Sequence, residues 1–176
     1  MTLVKNKYYF EALDNYPYSL PECLEALNYA LSYDPEDADS LCLMGRIYSE
    51  MLSDYEKAKL YFEEAMQCDV TNLNVPQYYI KCLLDNEDFQ EAEKLIEYSL
   101  KIKGIDKATL WFYRSLLSEK RGSFVNALKF LDETAKYCFS EHSLNVVKNR
   151  KKFIKSKMPK KIKLKRRRRR IKSPFL

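Results

Sequence analysis

One pattern recurs four times along the chain and strongly limits the folds that it can adopt. A small residue is followed four positions later by a large one and three positions after that by another small residue. Positions with this spacing lie on one face of an α-helix, and small side chains let a neighbouring helix approach closely. The first members of the triplets are 35, 34 and 35 residues apart. The triplets are Cys23-Leu27-Ala30, Ala58-Phe62-Ala65, Ala92-Ile96-Ser99 and Ala127-Leu131-Thr134.

Residues typical of helix N-termini precede these triplets. A Ser or Asp followed three positions later by Glu can satisfy backbone donors that the first helical turn leaves unpaired. These patterns are Ser19 with Glu22, Ser53 with Glu56, and Asp88 with Glu91, and Ser123 is the expected cap of the fourth helix. Because a second amphipathic segment lies upstream of each triplet, the sequence predicts pairs of helices that repeat along the chain.

The second repeat carries the most complete motif. It has Leu41, Met44, Gly45 and Tyr48 in its first helix, followed by Tyr55 and the triplet that begins at Ala58. These residues resemble the tetratricopeptide repeat (TPR) family, whose unit is a helix–turn–helix of about 34 residues. The chain departs from the family pattern at Val70, Gly104 and Phe139, where a turn proline is usual.

The resemblance implies an all-α fold. We expect a right-handed α-solenoid of about four TPR-like repeats, followed by a C-terminal capping helix and a basic tail. The repeats are predicted within 1–139, at 4–36, 38–70, 73–104 and 107–139. The capping helix is predicted at 140–158, and 159–176 is predicted to be disordered or ordered by a partner. A capping helix would cover the apolar face that a terminal repeat exposes.

Charge divides the chain sharply. Residues 1–147 carry 15 Lys and Arg against 25 Asp and Glu, whereas 148–176 carry 16 Lys and Arg and no acid. The net charge of +6 therefore hides an acidic body and a basic tail.

Few residues are suited to catalysis. Only three glycines are present, which argues against phosphate-loop and dinucleotide-binding folds. The single histidine stands in Glu141-His142-Ser143, whose side chains point in different directions on a helix and cannot relay a proton. Cys138 is four positions from His142, but no further ligands are nearby. The sequence therefore predicts no enzyme activity, no cofactor and no metal site.

The five cysteines are odd in number and have no zinc or redox spacing. Free thiols indicate a reducing compartment. The sequence shows no cleavable signal and no apolar run long enough to cross a bilayer. We therefore expect a cytoplasmic protein.

The TPR resemblance also implies a binding surface, because the first helix of each pair lines the concave side in that family. The positions that it assigns to the groove are Asp39, Leu43, Arg46, Gln77, Tyr78, Lys81, Trp111, Phe112 and Ser115. An alternative for Trp111 is packing on the capping helix. Some TPR proteins hold a chaperone's terminal carboxylate with several basic residues; only Arg46 is basic at the corresponding positions here, so we expect a different partner. Such a groove suits an extended peptide or a helix.

The tail is a candidate site for anions. Its cations are Lys160, Lys161, Lys163, Lys165, Arg166, Arg167, Arg168, Arg169, Arg170 and Lys172. Nucleic acid, an anionic membrane surface, and an acidic partner or the acidic body itself are all compatible with such a segment, as is a solvated tail that binds anions loosely.

The predicted function is a non-enzymatic adaptor or scaffold. A protein or peptide partner would occupy the groove, and the tail would add a second, electrostatic contact. One alternative is a protein associated with nucleic acid or the ribosome and anchored by the tail. Another is a TPR chaperone for a secreted or assembled protein.

Overall fold

The structure is a computed structural model that describes residues 7–158, and these residues form helices and no strands. The helices are α1 Lys7–Asn15, α2 Leu20–Tyr33, α3 Ala38–Arg46, α4 Tyr55–Cys68, α5 Val75–Asp85, α6 Phe89–Ser99, α7 Lys107–Lys120, α8 Phe124–Lys136 and α9 Glu141–Lys157. A π-helical segment, Ile47–Met51, continues α3 directly. The predicted all-α class is confirmed for this part of the chain, while the predicted basic tail lies outside the described residues.

Helices that follow one another in sequence pack in pairs: α1 with α2, α3 with α4, α5 with α6, and α7 with α8. Each pair falls within one of the four ranges predicted for the repeats. The chain divides into two compact units, Met1–Asp106 with α1 to α6 and Lys107–Leu176 with α7 to α9. The TPR assignment and the number of repeats stay predictions.

The small-large-small triplets form the packed face of α2, α4, α6 and α8. All twelve side chains are at most 3% exposed. The thiol of Cys23 donates to the carbonyl oxygen of Ala12 on α1, at 3.2 Å between sulfur and oxygen. The spacing therefore identified the buried face of every second helix, as expected for residues that return to one side of a helix.

Gly45 allows α3 to approach α4 closely. A Cβ atom at this position would lie 2.9 Å from Cε1 of the Phe62 ring. Phe62 is itself fully buried, so its ring has no solvent-filled space to move into. A glycine is therefore required at this position of the second repeat because the Phe62 ring, the large central residue of the triplet on α4, occupies the space of a Cβ.

One predicted helix start is wrong by a residue. Asp54 rather than Ser53 is the N-cap of α4, and its carboxylate accepts a hydrogen bond from the backbone N–H of Lys57 at 3.2 Å. Ser53 instead occupies the left-handed region with φ of 55°. Ser19 and Asp88 stand at the N-caps of α2 and α6, but neither side chain accepts a capping hydrogen bond.

Helix α9 lies within the range 140–158 predicted for a capping helix, and it packs on α8. Its capping role stays a prediction. Its buried apolar residues are Val147 and Ile154, and Met158 follows at the helix end. They form one hydrophobic cluster with Ala127, Leu128 and Leu131 of α8. Unit Lys107–Leu176 therefore has a core of its own.

A buried carboxylate also fastens α9 to α7. Glu119 of α7 is 7% exposed. Arg150 Nη2 lies 2.7 Å from Oε2 of Glu119, and Lys157 Nζ lies 2.8 Å from Oε1. Two cations from α9 thus satisfy both oxygens of one buried acid, which is the condition under which a buried charge is tolerated.

Within residues 7–158, no helix has the length and apolar character needed to cross a lipid bilayer. The same residues contain no group of three or more His, Cys, Asp or Glu side chains that could hold a metal ion. The cytoplasmic location and the absence of a metal site stay predictions.

Candidate protein-binding surface on α3 and α5

Arg46 at the end of α3 lies between two tyrosine rings. Its guanidinium carbon is 4.5 Å from the ring centre of Tyr16, which follows α1, and 4.2 Å from that of Tyr78 on α5. Both distances are within the range of cation–π attraction. A planar guanidinium stacks on aromatic faces better than an ammonium does. The two rings therefore hold Arg46 in one orientation.

Glu50 connects this stack to a lysine. The hydroxyl of Tyr16 donates to the carboxylate of Glu50, and Lys81 Nζ lies 3.2 Å from Glu50 Oε1. Arg46 Nε is 3.9 Å from the same carboxylate, beyond hydrogen-bond distance. We call Tyr16, Arg46, Glu50, Tyr78 and Lys81 the Arg46 cluster. Its charges are two cations and one anion, and Asp85 adds a second anion 3.2 Å from Lys81 Nζ.

The π-helical segment that carries Glu50 is a departure from the predicted regular helix. The backbone N–H of Leu52 donates to the carbonyl oxygen of Ile47, five residues earlier, at 3.2 Å. A π turn holds one more residue than an α turn and rotates the side chains that follow it. Tyr48 in this segment still packs inward, stacked on Tyr61 of α4 with ring centres 5.4 Å apart.

Electrostatics fix the protonation states within the Arg46 cluster. Burial and the hydrogen bond to Glu50 raise the pKa of Tyr16 to about 12, although Arg46 acts in the opposite sense. Burial alone would raise the pKa of Glu50. The Tyr16 hydrogen bond together with the charges of Lys81 and Arg46 outweighs burial and lowers this pKa. Tyr16 is therefore a donor and Glu50 an anion at neutral pH.

The structure brings together three of the predicted groove residues, Arg46, Tyr78 and Lys81. All three are half-buried, and so is Gln77, which precedes Tyr78 on α5. Asp39 lies at the start of α3, where it accepts a hydrogen bond from Asn72 Nδ2 at 2.8 Å. These side chains are partly accessible to a partner.

Two predicted groove residues are corrected. Leu43 is 2% exposed and belongs to the core that α1, α2 and α3 share. Ser115 on α7 is fully buried, and its hydroxyl donates to the carbonyl oxygen of Ala127 at 3.0 Å. Leu43 faces the two helices that precede α3, and Ser115 faces α8, which follows α7. Neither is available to a partner.

Trp111 and Phe112 lie on α7, in the second unit, and both are half-buried. Trp111 stacks on Phe130 of α8 with ring centres 5.7 Å apart, and the guanidinium of Arg114 lies over both rings. Phe112 packs against the cluster that α8 and α9 share. The stacking partner of Trp111 is therefore on α8, and it is Phe112 that packs against the cluster that includes α9.

Sequence reasoning missed Tyr16 and Glu50. Tyr16 stands in the irregular Tyr16-Pro17-Tyr18 break between two helices, where no periodic pattern assigns a side chain to a face. Glu50 follows Arg46 by four residues, a spacing that brings opposite charges together on a helix. That spacing was a usable signal, whereas the position of Tyr16 depends on the tertiary structure.

A depression lies elsewhere on the same unit, between α4, α5 and α6. Its volume is about 360 Å³. It is lined by Glu63, Tyr79, Leu83, Glu91, Lys94, Leu95 and Tyr98. The hydroxyl of Tyr79 donates to Glu63 Oε1 at 2.8 Å, and burial together with this hydrogen bond raises the pKa of Tyr79. We call this depression the outer cleft.

Comparison with known proteins gives a fold but no family. No family model matches the chain, and no curated protein matches it. Among solved structures it is similar to PilW, described as a widely conserved type IV pilus biogenesis factor, with a TM-score of 0.68 and 17% sequence identity. The match covers 78% of this chain and 64% of the PilW chain, so this chain spans less than two thirds of that protein. At this identity, the similarity establishes a shared helical fold.

Proposed function

We propose that the protein is a non-enzymatic interaction adaptor whose helix pairs are about four TPR-like repeats of a right-handed solenoid. The observation that carries this proposal is the Arg46 cluster. Arg46 of α3 lies between Tyr78 of α5 and Tyr16, which follows α1. Since α3 and α5 are the first helices of successive pairs, this is where the resemblance to TPR proteins puts the partner groove. The similarity to PilW supports the helical fold on which the proposal depends.

The composition of the Arg46 cluster favours a protein ligand. Tyrosine and arginine are enriched among the residues that dominate binding energy at protein interfaces. Arg46 and Tyr16 are already held by stacking and by the bond to Glu50, so little side-chain entropy remains to be lost on binding. Gln77, Lys81 and Asp85 supply polar groups around the rings. We propose that an extended peptide segment of the partner lies across them.

The test is affinity capture with the full-length protein and the variant Tyr78→Ala. Loss of the ring removes contact area and one face of the Arg46 stack. We expect at least a tenfold loss of one or more stoichiometric partners, which corresponds to about 1.4 kcal/mol. The binding of each partner, once identified, is then measured with purified proteins in low and high salt.

Tyr98→Ala is the matched control, because it removes the same side chain from the outer cleft. Tyr98 is 50% exposed, so truncation should leave the fold intact. Circular dichroism checks that both variants remain helical. If a folded Tyr78→Ala variant captures its partners normally, the proposed site is wrong. If only Tyr98→Ala loses the partners, the binding site is the outer cleft.

A second candidate function is that of an assembly factor or chaperone. The observation that favours it is the description of PilW as a biogenesis factor. An adaptor remains in the finished complex of its partner, whereas an assembly factor is absent from it. Fractionating the identified partner's complexes by size, and probing each fraction for this chain, separates the two.

A further inference from the structure

The lysines and arginine of α9 fall into two groups by what they contact. The helix contains six of these cations and one acid, Glu141. Arg150 and Lys157 bind the buried Glu119, and Lys151 Nζ lies 2.8 Å from Asp132 of α8. The remaining cations are Lys148, Lys152 and Lys155. All three are exposed, and none forms an ion pair with another residue in 7–158.

These three lysines share one face of the helix. At about 100° per residue, their positions lie within an arc of roughly 60°. On one side of them the helix surface carries Asn145, Asn149 and Ser156, which are also exposed and polar. Leu144 and Lys151, both half-buried, border the other side, and the exposed Glu141 lies on the same face two turns nearer the start of the helix. Three of the six α9 cations thus form ion pairs with α7 or α8, and the other three form an exposed lysine face.

We propose that the lysine face of α9 (Lys148, Lys152 and Lys155) binds the phosphate backbone of nucleic acid. The sequence after α9 continues with ten further Lys and Arg between 160 and 172, five of them consecutive arginines. Lysine ammonium groups and arginine forks are the side chains that contact phosphates, and amide side chains next to them add hydrogen bonds. The lysine face supplies three such ammonium groups on a folded helix.

The packing of α9 argues against an anionic membrane as the main ligand. A helix that lies in a membrane surface inserts a broad apolar face into the lipid. The apolar residues Val147, Ile154 and Met158 are at most 4% exposed because they pack against α8. Phe153 and Val146 are half-exposed but lie about a third of a turn away from the lysine face. Phosphate contacts need no such insertion.

The experiment titrates a fluorescent 15-nucleotide RNA and its DNA equivalent with the full-length protein over a range of salt concentrations. We expect the logarithm of affinity to fall linearly with the logarithm of salt concentration. Each phosphate contact on a single strand contributes about 0.7 to that slope. The triple variant Lys148→Gln, Lys152→Gln and Lys155→Gln should reduce the slope by up to about two and weaken binding at least tenfold.

The control triple variant is Lys101→Gln, Lys103→Gln and Lys129→Gln, which removes the same charge from other exposed positions. It should retain nearly all of the affinity. Fluorescence of Trp111, the single tryptophan, reports that unit Lys107–Leu176 stays folded in both variants. Equal losses in the two triple variants would overturn the proposal, because they would show an effect of net charge alone. Binding to vesicles rich in anionic lipid without binding to either oligonucleotide would also overturn it.

Discussion

Contacts around single residues explain why the repeated motif has the residue types that it has. Gly45 has no side chain because the Phe62 ring occupies the space where a Cβ would lie. Phe62 in turn stacks on Tyr79 of α5, with ring centres 5.5 Å apart. A change at Gly45 is thus transmitted to the contact between successive helix pairs.

Gly45→Ala should therefore destabilise the protein by about 1–3 kcal/mol, the usual cost of adding a methyl group to a packed core. The measurement is the free energy of unfolding in urea, followed by circular dichroism. The double variant with Phe62→Leu tests the cause, since a smaller side chain leaves room for the new methyl. We expect the free energy of unfolding of the double variant to fall by less than the sum of the decreases in the two single variants. Strict additivity would show that the Gly45 effect has another origin.

At the scale of elements, α9 is held by an apolar cluster and by the Glu119 ion pairs. Arg150 and Lys157 are partly exposed, with 34% and 43% of their side chains accessible, so their charges can be hydrated if the acid is removed. The energetic importance of this contact lies with the buried carboxylate, which would be left with one cation instead of two if Arg150 were truncated.

Arg150→Met should accordingly lower the free energy of unfolding of this part of the chain by about 1–3 kcal/mol. Urea unfolding followed by the fluorescence of Trp111 measures this loss. The control is Lys151→Gln, which breaks a pair whose acid, Asp132, is 70% exposed, and which should cost no more than about 0.5 kcal/mol. If the two variants unfold at the same urea concentration, the Glu119 pairs do not stabilise the docked α9.

At the scale of the whole molecule, the stability of the acidic body depends on carboxylates that stay ionised. Glu50, Asp69 and Asp88 all have pKa values below their ordinary ones. For Glu50 the neighbouring donors and cations outweigh burial, as described above. Hydrogen bonds from Thr71 lower the pKa of Asp69, and those from Asn86 and Lys59 lower that of Asp88.

Stability should therefore fall as the pH is lowered through the acid range. A lowered pKa in the folded state means that the unfolded state binds the proton first. The stabilisation is complete above the ordinary values of 4.5 for Glu and 3.8 for Asp, and is lost as the pH approaches the lower folded values. Glu50→Gln should reduce stability at pH 7 but weaken its dependence on pH between 5 and 3, measured by urea unfolding.

Glu25→Gln is the control for this pH series, because Glu25 is an exposed carboxylate on α2 with no ion pair to the described residues. It should leave both the stability at pH 7 and the slope unchanged. A Glu50→Gln variant with the wild-type slope would mean that the Arg46 cluster does not contribute to acid unfolding.

The helices and their packed faces followed from the sequence. Small and large residues at four-and-three spacing return to the same side of a helix. The spacing in the sequence was therefore enough to predict that all twelve triplet residues are buried. Two local features did not follow from the sequence. They are the extra residue of the π turn at Ile47–Met51 and the start of α4 at Asp54, and both depend on hydrogen bonds that compete at the end of α3.

The candidate site required the tertiary structure. Tyr16, Arg46 and Tyr78 are about 30 residues apart from one to the next, and no pattern within one helix shows that their rings and guanidinium stack. Leu43 and Ser115 occupy positions that the TPR resemblance assigns to the groove, yet packing against neighbouring helices buries both. Periodicity determines which face of a helix is apolar, whereas the angle at which the next helix crosses it decides which borderline side chains remain accessible.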